Sequence, residues 1–172
     1  MAEPADRLAP RPLADLVRRV EPLRESDDLA HAADRIAAEG GGLPVADGAG
    51  RLVGYIAERD LLEALFPAYL KQFKNTEFLT RDFPSLVRRA RAGARERVGD
   101  HMTREPVSLE ADDSESHAAE LFLHAGIRSL PVTGHGGRVV GVVRLGDMIH
   151  SLLQACGALP EGPPGEGSSR PG

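Results

Sequence analysis

Leu43-Pro44-Val45, followed by Gly50-Arg51, Val53-Gly54 and Asp60-Leu61, is a pattern that the chain carries twice. It returns as Leu130-Pro131-Val132, Gly137-Arg138, Val140-Gly141 and Asp147-Met148, every pair offset by 87 positions without a gap. A constant offset of this kind marks a duplicated structural unit, and it decides the architecture before any single element is assigned. Ahead of each copy stands an Ala-rich stretch with apolar residues at helical spacing: Leu29, Ala32, Ala33 and Ile36 in the first, Ala118, Leu121, Phe122 and Ala125 in the second. Ser26-Asp27-Asp28 and Asp112-Asp113-Ser114 precede these stretches and can accept bonds from the orphan amides of a helix start.

Each Leu-Pro-Val run leads through a Gly-rich turn, Asp47-Gly48-Ala49-Gly50 or Gly134-His135-Gly136-Gly137, into a second apolar run at Leu52 to Ile56 or Val139 to Val143. Two such runs joined by such a turn predict a hairpin. A further helix is expected from about Glu58 or Leu145, and a short first strand near Leu23 and near Val107 to Leu109. Each unit therefore reads β-α-β-β-α, a mixed α/β (α+β) fold. One unit is too small to bury its sheet alone, so the two should pack as a pseudo-twofold pair.

The remainder of the 172 residues falls into place around the repeats. Residues 1–12, with three prolines, and 156–172, rich in Pro, Gly, Ser and Glu, are expected to be mobile tails. The repeats occupy 13–65 and 98–155. The spacer 66–97 carries Phe66, Phe73, Phe78 and Phe83, and it predicts a helix with Phe83, Leu86, Val87, Ala90 and Ala94 on its apolar stripe and Arg88, Arg89, Arg91 and Arg95 off it.

Composition narrows the function classes. Hydrophobic residues at 41% and charged residues at 27% fit a folded globular chain. A formal charge of -5, from 26 acidic and 21 basic residues, argues against a dedicated nucleic-acid binder. The single cysteine, Cys156, excludes an intramolecular disulfide and a cysteine-based zinc site, and it fits a reducing, cytoplasmic setting. No apolar run approaches the ~20 residues of a membrane span, and Met1 to Pro12 lacks the apolar core of a signal peptide. His117 and His124 have no recognised metal spacing, so no metal is expected from protein ligands alone. No set of nucleophile, base and orienting acid can be named, which points away from an enzyme.

These copies resemble cystathionine β-synthase (CBS) domains, whose pairs are called Bateman modules. The resemblance rests on Leu43-Pro44-Val45…Gly50…Val53-Gly54-Tyr55-Ile56-Ala57-Glu58-Arg59-Asp60-Leu61 and on Gly126-Ile127-Arg128-Ser129-Leu130-Pro131-Val132…Gly137…Val140-Gly141…Asp147-Met148. The second copy also opens in the family's manner, with Val98-Gly99-Asp100-His101-Met102-Thr103 leading to Pro106-Val107. The resemblance implies a stand-alone regulatory sensor that binds an adenine nucleotide (AMP, ADP or ATP) or S-adenosylmethionine between its repeats. It further implies a homodimer whose geometry signals occupancy to a regulated protein.

The resemblance also implies the site residues. Asp60 and Asp147 would accept the ribose hydroxyls, although Asp at either place also suits a helix N-cap. Arg104, Arg128 and Arg144 lie where family members approach the ligand's phosphates, Val107 and Ser108 would meet adenine, and Pro44 and Pro131 are expected among the ligand-binding residues. The family usually has Ser or Thr three residues before the Asp, whereas this chain has Ala57 and Arg144. A guanidinium offers a planar fork of donors to phosphate and alanine offers none, so the cleft around Asp147 is expected to be the better one. Two other readings remain open at this point: an interaction scaffold with degenerate sites, suggested by the lost hydroxyls, and a nucleic-acid-associated regulator using the spacer arginines.

Overall fold

The computed structural model describes residues 12–65 and 83–160. Among the described residues there are six α-helices and six strands; the helix-hairpin-helix order expected of each repeat is present, with a short helix and a two-residue strand added ahead of the second. The first half of the chain holds α1 (Leu29–Glu39), β1 (Leu43–Ala46), β2 (Leu52–Ile56) and α2 (Glu58–Leu65). After α3 (Phe83–Gly93), the second half holds α4 (Val98–His101), β3 (Thr103–Arg104), β4 (Leu109–Glu110), α5 (Glu115–Ala125), β5 (Ser129–Thr133), β6 (Val139–Arg144) and α6 (Leu145–Ala155). Short 3-10 turns cover Leu13–Leu16 and His135–Gly137.

The local signals act as the sequence implies. Asp28 caps α1 by accepting from the His31 amide at 2.8 Å, and Ser114 caps α5 by accepting from His117 at 3.2 Å. Leu29, Ala32 and Ile36 form the buried face of α1, and Ala118 and Phe122 that of α5. In the first hairpin turn, the Asp47 carboxylate accepts from the amides of Ala49 and Arg51 at 2.8 and 2.9 Å. Of the spacer stripe, Leu86 is buried but Phe83 stays 64% exposed. Phe66, Phe73 and Phe78, and the expected tails up to residue 11 and from residue 161, lie outside the described residues. Residues 156–160 close α6 in hydrogen-bonded turns, with Ala158 N–H donating to the Leu153 carbonyl at 2.8 Å.

Two three-stranded sheets result, ordered β1-β2-β3 and β4-β5-β6. Their irregularities match: the β1–β2 register shifts between Val45 and Ala46, the β5–β6 register between Val132 and Thr133. Leu23 adds a parallel bridge to Val45, as Leu109 of β4 pairs in parallel with Val132. Both leucines are fully buried, and burying a leucine completely contributes about 1.5–3 kcal/mol.

The repeats also exchange segments. β3, from the second half, pairs with β2 at Gly54↔Arg104 and Tyr55↔Thr103. In return Arg18, from the first half, pairs with Val142 of β6, the two amides donating to each other's carbonyls at 2.9 Å. The cores follow suit. Val98 and Met102 complete the core of Leu29, Ile36, Leu43, Val45 and Ile56, while Leu13 belongs with Leu109, Phe122, Leu130, Val132 and Val143. No helix among the described residues is long and apolar enough to cross a membrane.

Candidate functional site

The turn from α1 to β1 decides how closely the halves approach. Gly40 and Gly41 take φ of 70° and 103°, a region L side chains avoid. This lets Gly42 come against the second repeat, where its amide donates to the Ser129 hydroxyl at 3.3 Å. The Tyr55 ring covers Gly42 so closely that a Cβ there would meet Cε1 at 2.4 Å. Its hydroxyl bonds Ser129 as well. Burial foremost pushes the Tyr55 phenol up to about 12, partly offset by the Ser129 bond.

Beside this contact opens a cleft of about 300 Å³, whose walls come from both repeats. Tyr55, Ala57 and Asp60 stand on one side, Gly126, Ile127, Arg128 and Ser129 on another, and Thr103 of the exchanged strand completes the lining. Asp60 is the third residue of α2, and one oxygen of its half-buried carboxylate accepts from the Ala57 amide at 2.8 Å. Burial raises its pKa above the usual 3.8, against the lowering effect of the Ala57 amide. The cleft thus offers a carboxylate acceptor, an exposed guanidinium, a hydroxyl and an aromatic ring around a neutral wall at Ala57.

Asp147 is set differently. It is also the third residue of its helix, α6, whose N-cap is Arg144. Both its oxygens are engaged by Arg18, Nε to Oδ2 at 2.6 Å and Nη2 to Oδ1 at 2.8 Å. The bond to Asp147 foremost raises the Arg18 pKa. Arg144 lies 3.9 Å from the Glu39 carboxylate, and its buried Nε has no partner.

The residues singled out in the sequence therefore divide. Arg128 joins Asp60 in one cleft, while the Arg144 guanidinium lies beside Glu39 and does not line the cavity next to Asp147. Arg104 turns to the Glu25 carboxylate at 3.0 Å and the Gly99 carbonyl at 3.1 Å. Pro44 and Pro131 are buried in β1 and β5 opposite Tyr55 and Val142. Val107 is exposed and Ser108 half-buried in the segment before β4. Arg88, Arg89, Arg91 and Arg95 are exposed on or just after α3. Sequence reading passed over Arg18, Thr103, Tyr55 and Ser129. Of these only Ser129 carried a signal, since it stands 87 positions from Gly42 at the point where the repeats meet.

Comparison with known proteins agrees with this architecture. The family model of the CBS domain matches residues 13–67 and 98–154. The solved CBS domain of a CBS domain containing membrane protein from Sphaerobacter thermophilus aligns with a TM-score of 0.66 and 29% identity over 87% of this chain and 93% of that one. The uncharacterized protein MJ1426 of Methanocaldococcus jannaschii is 29% identical over 125 residues, 65% of this chain and 73% of that protein. The chloroplastic CBS domain-containing protein CBSX2 of Arabidopsis thaliana is 29% identical over 118 residues, 66% of this chain but only 50% of that protein. A structure of CBSX2 in complex with AMP superposes with a TM-score of 0.63 at 24% identity, covering 83% of this chain and 96% of that one.

Proposed function

We propose, for a chain that belongs to the CBS-domain family, that it is a regulatory binding module rather than a catalyst, and that its ligand is an adenine nucleotide or another adenosyl compound held in the cleft around Asp60. The observation that carries this reading is the pairing of Asp60 and Arg128 across one cavity built from both repeats. The carboxylate accepts the two ribose hydroxyls in charge-assisted bonds, and the guanidinium fork meets the phosphate. Thr103 supplies a hydroxyl from the facing segment, where Ala57 has none. The AMP complex of CBSX2 supports the choice of ligand class among AMP, ADP, ATP and S-adenosylmethionine.

Because both repeats line the cleft, a bound ligand favours whichever arrangement of the halves brings Asp60 and Arg128 to it, and such differential affinity is what a switch requires. The output is a homodimer whose geometry is read by another protein. Leu62 on α2 and Ile149 on α6 occupy equivalent places in the two repeats, 58% and 46% exposed, and Leu152 adds a 57% exposed neighbour on α6. Exposed apolar residues at equivalent helix positions suit an isologous contact.

A thermal-shift screen with AMP, ADP, ATP and S-adenosylmethionine tests the reading. A ligand at 100 times its dissociation constant stabilises by about 2.7 kcal/mol, so at least one should raise the melting temperature and none should do so in Asp60→Ala with Arg128→Ala. No shift with any of the four overturns it. Light scattering should return a dimer, and a monomer at high concentration removes the dimer from the proposal.

A further inference from the structure

The two repeats place one carboxylate each at the same point of the fold, Asp60 and Asp147, but the exchanged segments that face them differ. Thr103 pairs with Tyr55, and Arg18 pairs with Val142. Tyr55 and Val142 are themselves equivalent positions, 87 apart. Thr103 and Arg18 therefore occupy the same station in the two sheets. A threonine there leaves the cleft beside Asp60 open. The arginine spans to its aspartate and takes both oxygens, at 2.6 and 2.8 Å.

A second substitution between the repeats works the same way. Where the open cleft has Ala57, its counterpart has Arg144, whose Nη1 lies 3.8 Å from the Cβ position of Gly40 and whose Nη2 lies 3.9 Å from Glu39. The turn that corresponds to Gly126–Ser129 is thus covered by a side chain of the protein itself. The cavity of about 200 Å³ that adjoins Asp147 is lined by Asp15–Arg18 and by His150, Ser151 and Gln154, and does not reach that turn.

We propose that the cleft at Asp147 is closed from within: Arg18 is an intramolecular stopper on the carboxylate, so that each chain takes one ligand, at Asp60, and admits a second only when Arg18 lets go. The ligand's identity rests on the function proposed above, whereas the stopper does not. Ribose hydroxyls are neutral donors, and to reach Asp147 they must replace a bidentate, charge-assisted pair, the stronger class of hydrogen bond. Arg18 is also kept in place by its backbone, which exchanges two bonds of 2.9 Å with Val142, so its guanidinium is never far from the carboxylate.

A reciprocal exchange of the two side chains tests the stopper. Calorimetric titration with AMP should return one equivalent per wild-type chain, two for Arg18→Thr, and none for Thr103→Arg, in which the transplanted guanidinium closes the cleft at Asp60. Two equivalents on the wild type, or an unchanged single site in Arg18→Thr, overturns the proposal. A second measurement applies even if AMP does not bind at all, an outcome that would fault the proposed ligand instead. Chemical unfolding of Arg18→Thr, Asp147→Asn and the double variant should be non-additive, the double variant losing no more than the worse single one. Additive losses mean that the two side chains do not act as a unit, and the stopper is then rejected.

Discussion

Gly42 and Ser129 hold the same position in the two repeats and touch each other, the Gly42 amide donating to the Ser129 hydroxyl at 3.3 Å. Arg51 and Arg138, also equivalent, meet in an antiparallel bridge. Contacts between equivalent positions occur only along an axis of local twofold symmetry, so these two pairs trace the seam of the module. The candidate cleft lies directly beside it, with Gly42, Tyr55 and Ser129 in its lining.

Ser129 serves two partners at this seam, and its loss should therefore cost more than the loss of either. Ser129→Ala leaves the Gly42 amide without its acceptor and the Tyr55 hydroxyl without its partner, each a penalty of about 1–3 kcal/mol if unrelieved. Tyr55→Phe removes one bond and leaves the Gly42–Ser129 contact, a net loss of about 0.5–1.5 kcal/mol. Urea unfolding of the two variants should place Ser129→Ala clearly below Tyr55→Phe, and the reverse order would mean that the seam is held by the ring and not by the hydroxyl.

The Tyr55 phenol, pushed up to about 12, makes stability depend on alkaline pH. A group whose folded pKa is raised contributes stability that is complete below its unfolded value, about 10, and is lost as pH rises through the folded one. Wild-type protein should accordingly lose stability between about pH 10 and 12 by an amount that Tyr55→Phe does not. Parallel melting curves across that window give the answer, and identical slopes would contradict the burial of the phenol.

Asp60 is held at some cost to the fold, since burial raises its pKa above 3.8. Its ionised form is disfavoured in the folded chain, so the associated stability is present below pH 3.8 and declines as pH passes the folded value. Asp60→Asn keeps an acceptor for the Ala57 amide but carries no charge. At neutral pH the variant should melt no lower than the parent while binding the nucleotide about ten- to hundredfold more weakly, the loss expected for a charge-assisted bond. Melting below the parent would mean that the carboxylate serves the helix start rather than a ligand.

Gly54 and Gly141 are equivalent, yet they should tolerate alanine unequally. A Cβ on Gly141 would meet the Arg18 carbonyl oxygen at 2.2 Å, a backbone atom that cannot yield without disturbing both bonds to Val142. A Cβ on Gly54 would meet the Met102 sulfur at 2.3 Å, and a thioether chain has three rotatable bonds with which to withdraw. Gly141→Ala should cost at least the 1–3 kcal/mol typical of overpacking, roughly, and Gly54→Ala less. Equal losses would show that Met102 is as confined as the backbone.

The repeat, the starts of α2 at Glu58 and α6 at Leu145, and the caps at Asp28 and Ser114 were all legible because they are written locally, in spacing and in residues three or four apart. Asp60 and Arg128 stood out as candidates through the resemblance of their motifs, although not as neighbours in one cleft. The exchange of Arg18 and Thr103 between the halves was not, since pairing between segments far apart in the chain leaves no periodicity to read. Arg18 stands in Val17-Arg18-Arg19-Val20, where nothing distinguishes one arginine from the next until β6 selects it. The preference for the cleft at Asp147 came from Arg144 as a phosphate donor. A side chain long enough to reach a ligand is also long enough to lie in its place.

The same exchange bears on how the protein stays out of aggregates. A sheet that ends in an unpaired strand offers its row of amides and carbonyls to any other chain. Here the outer edge of β2 is covered by Thr103 and Arg104, and the outer edge of β6 by Arg18, each supplied by the opposite half. A single repeat cut from this chain would keep its hairpin and lose that cover, along with the core residues that accompany it. The duplicated sequence therefore does not make two spare copies of one domain. Either half alone is a sheet with a sticky edge, and the nearest thing that fits the edge is the half that was removed.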